Sequence, residues 1–425
     1  MKILWVINIP LPEASEIIGE KSLPYGGWLV NASNELSKNK DIELTISYPS
    51  QSHSEFKELK GKRITYYPFS PAKKIFHNKN NEIKYFELLL DKIKPDIVHV
   101  YGTEMNHSLA MIKACTNLGI KNVVSIQGLV SVIEKHMYAN LPFKAIYGMT
   151  LRNLIFKDSV YGLRKKFKQR GHSEVEGIKI AKNIIGRTTW DKACVQQISP
   201  GSKYFFCNET LREEFYKHLW DINDCERYSI FLSQGQYSIK GLHHMLEAMP
   251  LIIKKFPDTK LYVGGKNITD TNSLKSRISL TYYGKYIKRL IEKYNLQKNV
   301  VFTGLLNEKK MCNHFLNSHV FVCPSSIENS PNSLGEAMLL GVPCVASNVG
   351  GITDMMTHNK EGYIYQPDAS YMLAHYVCEI FENDDLATEF SSKSRLRALS
   401  THNKLDNLNE LMSIYRNINL ETEIK

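Results

Sequence analysis

Twice along this chain, short runs of β-branched and aromatic residues alternate with helix-forming segments, and this alternation constrains the fold more than any other feature. The first series opens at the amino terminus with KILWVINI and continues at residues 42–48, 63–69, 97–101, 122–126, 183–187 and 204–207. The second occupies residues 229–233, 260–263, 299–303, 319–323, 343–346 and 362–365. Strands that alternate with helices predict parallel sheets covered on both faces, with ligands gathered at the carboxyl ends of the strands. A length of 425 residues fits two such domains. Their predicted bounds are 1–217 and 229–402, and the polar segment WDINDCER suits a linker near 218–228.

The most informative single stretch is 320–346, VFVCPSSIENSPNSLGEAMLLGVPCVA, which reads as strand, polar loop, helix, strand. Glu328 lies in the loop and Glu336 on the helix, so the helix start falls between two carboxylates. Free backbone N–H groups of Asn332 and Ser333 at that start, reinforced by the helix dipole, would make an anion site suited to a diphosphate. Glu336, about one turn in, could accept hydrogen bonds from ribose hydroxyls, as acidic residues do in dinucleotide folds. Glu328 would face whatever the diphosphate carries.

This stretch, with NVGGITDMM after it, resembles the signature of retaining glycosyltransferases of family 4, whose second domain carries two such glutamates. The resemblance implies a GT-B fold: α/β, two Rossmann-like domains with parallel sheets facing across a cleft, and a last helix (403–425) packing back on the first domain. It gives Lys240, in the Lys240-Gly241 pair, the neutralisation of the leaving diphosphate, and Glu328 the positioning of the donor sugar. The family usually has an Arg about five residues before that Lys; here the loop offers Gly235 and Gln236. Gln236, Gly304, Gly350 and Gly351 would complete the donor side, with Gly26 and Gly27 reaching it from the loop after the first strand. Many members carry a His where this chain has Gln127. An amide can bond a sugar hydroxyl but does not titrate near neutrality. Gln127, His107 and Arg187 are therefore the residues expected on the acceptor or sugar side. The segments YGTEMNHSLA, SIQGLVS and GRTTWD resemble a subgroup that builds bacterial surface polysaccharides.

Charge adds a partner class. The chain carries 54 Lys and Arg against 43 Asp and Glu, which favours an anionic partner. Much of the excess sits in residues 142–170, where apolar residues at helical spacing accompany eight Lys and Arg and one Asp. That pattern predicts an amphipathic basic helix on an anionic membrane surface, with a helix packed on the first domain as the alternative. No nucleic-acid module accompanies the charge, so nucleic acid is not an expected partner. The eight cysteines show neither a CxxC pair nor zinc-ligand spacing, which fits a reducing cytoplasm. The apolar start is broken by Asn8 and lacks a small-residue cleavage site, so it reads as a strand rather than a signal peptide.

Together these features predict transfer of a sugar, with retention, from a nucleotide-diphosphate sugar to a hydroxyl acceptor. The expected acceptor is a saccharide or lipid-linked saccharide of capsule, O-antigen or exopolysaccharide synthesis, met at the inner face of the plasma membrane. With no Asp-x-Asp and no acidic triad in the sequence, neither cofactor nor metal is expected. Two rivals stand beside this reading. A nucleotide-sugar epimerase of the same architecture would change the donor without an acceptor, and a non-catalytic glycan-binding scaffold would bind no sugar nucleotide.

Overall fold

The computed structural model describes residues 1–20, 26–50, 57–70 and 79–420. The chain forms two compact units, one built from residues 1–132, 168–210 and 402 onward, the other from 133–167 and 211–401.

The first unit is wound around β1 (Lys2–Val6), β2 (Glu43–Pro49), β3 (Leu59–Lys60), β4 (Thr65–Phe69), β5 (Ile97–Tyr101), β6 (Lys121–Ser125), β7 (Asn183–Gly186) and β8 (Lys203–Phe206). Their order is β3-β4-β2-β1-β5-β6-β7-β8. Every pairing is parallel except β3 with β4, a short edge strand that sequence periodicity does not reveal. Ile3, Leu4, Trp5 and Val6 are all buried, which is why β1 reads as one unbroken apolar run: a central parallel strand is covered on both faces. The sheet reverses its winding between β1 and β5, and the open ends of those two strands are where such a fold leaves a crevice. The last helix, Lys404–Leu420, buries Leu411, Met412, Ile414, Tyr415 and Ile418 in this unit's core. Tyr415 accepts a hydrogen bond from Trp5 Nε1 at 2.9 Å and lies 2.6 Å from His99 Nδ1. Residues 421–425 of the expected helix, and Tyr25 of the Tyr-Gly-Gly-Trp loop, lie outside the described residues.

The second unit holds β9 (Glu226–Leu232), β10 (Lys260–Val263), β11 (Val300–Phe302), β12 (Ser318–Cys323), β13 (Cys344–Ser347) and β14 (Tyr363–Tyr365). They are ordered β11-β10-β9-β12-β13-β14 and all parallel. Here the winding reverses between β9 and β12.

Two expectations are corrected. Residues 218–228 are not a linker, because Trp220 and Cys225 are buried in the second core and Trp220 Nε1 donates to the Ser318 carbonyl at 2.8 Å. The polar letters of WDINDCER hide two apolar anchors. Residues 142–170 form three helices, Phe143–Tyr147, Leu151–Phe156 and Val160–Ile180, rather than one. Pro142, Gly148 and a capping box at Thr150 divide them: the Thr150 side chain accepts from Asn153 N, and the Asn153 side chain returns a bond to the Thr150 backbone. The first two pack on the second unit, through buried Ala145 and Ile146, rather than on the first. Among the described residues no helix is long and apolar enough to cross a membrane.

Candidate active site

At the reversal point of the second sheet, the loop after β9 meets the loop after β12. Lys240 ends the first loop and Glu328 sits in the second, and Lys240 Nζ donates to Glu328 Oε1 at 2.6 Å. Ser325 Oγ donates to the same oxygen at 2.7 Å. The pair is partly open, with the Lys240 side chain 27% and the Glu328 side chain 11% exposed. Burial on its own lowers the Lys240 pKa, but the Glu328 carboxylate outweighs it and the ammonium is held above its ordinary value.

Glycines fix this approach. Gly241 has φ +72°, and a Cβ there would stand 1.7 Å from the Pro324 carbonyl oxygen. That is why the lysine is followed by glycine. Gly350, at φ +52°, would place a Cβ 1.8 Å from the Glu328 carbonyl oxygen. Gly351 N donates to that same carbonyl at 3.1 Å. Gly350 and Gly351 thus brace the Glu328 loop, on the side of the second unit where the donor is expected.

The helix Asn332–Leu340 begins just past this loop, and its N-cap, Pro331, makes no side-chain cap bond. The N–H groups of Asn332 and Ser333 are first-turn donors, which no intrahelical carbonyl can satisfy. Glu336 lies on the same helix with 4% of its side chain exposed, and both its oxygens accept from Arg212, Nε and Nη2, at 2.6 Å each. Burial pushes the Glu336 carboxyl up and the Arg212 guanidinium opposes that rise. A carboxylate has about four acceptor positions, so the bidentate clamp still leaves capacity for a ribose hydroxyl. Arg212 was not foreseen, since it comes from the crossing segment before the second sheet and carries no motif. Gln236 and Gly304 both neighbour Gly265 on the other side of β9. Gly265 N donates to the Gly304 carbonyl at 3.0 Å, and a Cβ on Gly265 would lie 2.8 Å from Gln236 Nε2.

The first unit gathers a different set past the ends of β6, β7 and β8. Gln127 Nε2 donates to Glu209 Oε1 and Arg187 Nη1 to Glu209 Oε2, both at 2.6 Å. His402 Nδ1 lies 2.8 Å from the Glu209 carbonyl oxygen. Burial raises the Glu209 carboxyl against the pull of Arg187 and Gln127. Gln127 and Arg187 are thus brought together by Glu209, a residue missed in the sequence, three positions past the end of β8. A cavity of about 50 Å³ borders Arg187, Glu209, Cys207 and His99, room for a few water molecules rather than a sugar ring.

His107 is not part of that set. Its Nε2 lies 2.8 Å from Asn8 Oδ1 and its ring packs 5.1 Å from that of Phe69. Burial lowers its pKa to about 4. Asn8 Nδ2 also donates to Glu104 Oε1 at 2.6 Å. Burial, with Glu174 nearby, raises Glu104 to about 7, with Arg170 and Asn8 opposing the rise. These residues lie at the reversal point of the first sheet, beside Gly26, whose φ of +82° turns the chain into the helix starting at Gly27.

Residues 214–397 match the family model described as glycosyl transferases group 1. The poly(ribitol-phosphate) alpha-N-acetylglucosaminyltransferase of Staphylococcus aureus (strain COL) is 25% identical over 177 residues, 41% of this chain and 33% of that protein. The capsular polysaccharide biosynthesis glycosyltransferase CapM of Staphylococcus aureus is 24% identical over 224 residues, 52% of this chain and 53% of that protein. The chain thus spans from a third to about half of the length of these relatives. Among solved structures, the sucrose-phosphate synthase of Thermosynechococcus elongatus superposes with a TM-score of 0.69 at 16% identity, over 98% of both chains. Anabaena Alr3699/HepE in complex with UDP and glucose gives 0.66 at 13% identity, over 98% of this chain and 100% of that one. At such identities the likeness is one of fold, and the fold is GT-B.

Proposed function

We propose that this chain is a retaining glycosyltransferase that moves a sugar from a nucleotide-diphosphate sugar to a hydroxyl of a lipid-linked saccharide during surface-polysaccharide synthesis. One observation carries the reading: Lys240, Glu328 and the uncapped helix start at Asn332 and Ser333 converge where the second sheet reverses. A capsule enzyme among the relatives and a UDP complex among the structural neighbours support it.

The chemistry follows from charge. Breaking the bond between the anomeric carbon and the phosphate oxygen leaves positive character on the sugar and negative charge on the diphosphate. An ammonium has three donors, so Lys240 can keep Glu328 and still reach a phosphate oxygen. The helix N–H groups add fixed positive ends that need no reorganisation. Glu328, held by Lys240 and Ser325, faces the sugar and orients its hydroxyls. The acceptor oxygen attacks on the face the phosphate leaves, and its proton passes to the departing phosphate oxygen. Glu336, held in place by the two bonds from Arg212, takes the ribose hydroxyls. Because protein groups balance the phosphate charge, we propose that turnover needs no metal and continues in the presence of a chelator. The acceptor places the protein in the cytoplasm, peripheral at the inner face of the plasma membrane.

The test is a thermal-shift panel of UDP, GDP, ADP and their sugars, followed by proton NMR of the product formed from the stabilising donor. Ligand binding to the native state raises stability with the logarithm of its concentration over Kd. One nucleotide should stand apart, and the new linkage should keep the donor's anomeric configuration. An inverted product would overturn retention, and a panel without any shift would overturn the transferase reading.

A further inference from the structure

The second unit carries a surface that the chemistry above does not use. Phe143, Leu151, Leu154, Ile155 and Phe156, on the two short helices Phe143–Tyr147 and Leu151–Phe156, are between 61% and 74% exposed. Large apolar side chains grouped this way on adjoining elements mark an interaction site. Tyr282, far away in sequence, ties a second segment to them. Its N–H donates to Asn153 Oδ1 at 2.9 Å, and a Cβ on Gly148 would meet its ring at 2.4 Å. A few residues before Tyr282, the short helix Leu274–Ile278 exposes Leu274 and Ile278.

Cations and tyrosines stand beside one of these tips, Phe143. A groove of about 490 Å³ is lined by Phe143, Lys144, Tyr282, Tyr286, Arg289 and Lys293, among others. One carboxylate, Glu247, also borders it, and it is engaged by His244 at 3.7 Å and Ser370 at 3.3 Å. In the stretch 143–167, Arg152 pairs with Asp158 and Arg164 with Glu134. Lys144 and Lys157 are exposed and have no carboxylate partner among the described residues. Lys165 and Lys166 are exposed as well, and Lys166 Nζ donates to the Phe156 carbonyl at 2.9 Å. Arg164 is occupied, while Arg289 and Lys293 join from the helix Tyr282–Lys293.

We infer that this two-segment face of the second unit docks on an anionic phospholipid bilayer. In this geometry Phe143, Leu151 and Ile155 enter the interface, and Lys144, Arg289 and Lys293 meet lipid phosphates. Protruding apolar side chains on helices that also expose lysines, with tyrosines in the adjoining groove, suit a headgroup layer. Protein interfaces, by contrast, are depleted in lysine. The inference rests on the proposed lipid-linked acceptor for its purpose, but its geometry is independent of the sugar site.

The experiment is sedimentation of the full chain with vesicles of phosphatidylcholine alone and with phosphatidylglycerol added, across a salt series. Nucleotide binding and transfer to a detergent-dispersed acceptor are measured in parallel. Binding should need the anionic lipid and fall as salt rises. Phe143→Ser/Leu151→Ser/Ile155→Ser should weaken it at least tenfold at every salt concentration. Lys144→Gln/Arg289→Gln/Lys293→Gln should remove most of its salt dependence. Both variants, altered only at exposed positions, should keep the wild-type melting temperature and nucleotide affinity. Wild-type vesicle binding by both variants, or a dimer that the serine variant dissociates, would overturn the surface. Transfer without sedimentation would overturn it too, while leaving the transferase reading intact. Sedimentation without any nucleotide binding would do the reverse.

Discussion

Each unit holds a buried carboxylate against a cation near its strand ends, and the two pairs are built for different work. Lys240 and Glu328 are 27% and 11% exposed, meet through one bond, and adjoin a helix start with donors to spare. Arg187 and Glu209 are 5% and 12% exposed, and Glu209 is further occupied by Gln127 and approached by His402. A single-bonded, part-open ammonium can exchange or share its partner with an arriving phosphate. A guanidinium buried in a network has less freedom to exchange its partner. On the proposed reading, ligand chemistry falls to the first pair and positioning of the β6, β7 and β8 ends to the second.

The largest effect that separates them is on stability. Arg187→Ala leaves Glu209 buried without its charge partner, which costs about 3–5 kcal/mol. Urea unfolding should show that loss with nucleotide affinity unchanged. A nucleotide affinity that collapses with Arg187 while stability holds would move it into the donor site. Lys240→Ala should behave oppositely. Removing a preorganised donor to developing charge lowers kcat by about 10²–10³, and the expected melting temperature is near wild type. Equal losses in kcat and affinity would mean that Lys240 only holds the ground state.

These two regions also differ in how far the sequence disclosed them. Lys240, Glu328, Asn332 and Glu336 were legible because the strand, loop and helix that place them are local. The close approaches at Gly241 and Gly350 each admit little besides glycine. The parallel strands were legible for a related reason: buried on both faces, they are written as continuous apolar runs. The Glu209 network was not, because residues 127, 187, 209 and 402 meet only through the winding of the sheet. Arg212 was hidden in a crossing segment for the same reason. The basic stretch 142–170 misled because helical spacing persists across Gly148 and the Thr150 cap, and because composition cannot say which of two units a helix packs on.

Smaller effects sharpen the contrast. Glu336→Ala should weaken nucleotide binding by about 1.5–3 kcal/mol, the worth of a hydrogen bond to a charged acceptor. Calorimetry showing unchanged affinity would remove the ribose role and leave Glu336 as Arg212's structural partner. An effect of similar size, spread over several pH units, is a pH trend in the first unit. Glu104 is raised to about 7 from its ordinary value of 4.5, so between those values the folded chain binds more protons than the unfolded one. Its contribution is present below about pH 4.5 and is lost as pH rises through 7, a change of about 3 kcal/mol at about 1.4 kcal/mol per pKa unit. Glu104→Gln should flatten the slope of stability between pH 5 and 8, and an unchanged slope would assign it to other groups.

The central claim is that the second unit reads a diphosphate with Lys240 and the start of the helix at Asn332. Calorimetric affinities for a nucleoside diphosphate and the matching monophosphate test it most directly, in the wild type and in Asn332→Pro. Proline removes one backbone donor yet is tolerated in the first helical turn. The diphosphate should bind the wild type about tenfold more tightly, as one charge-assisted hydrogen bond would give, and Asn332→Pro should narrow that gap with the fold retained. Equal affinity of the wild type for the two nucleotides would contradict the account.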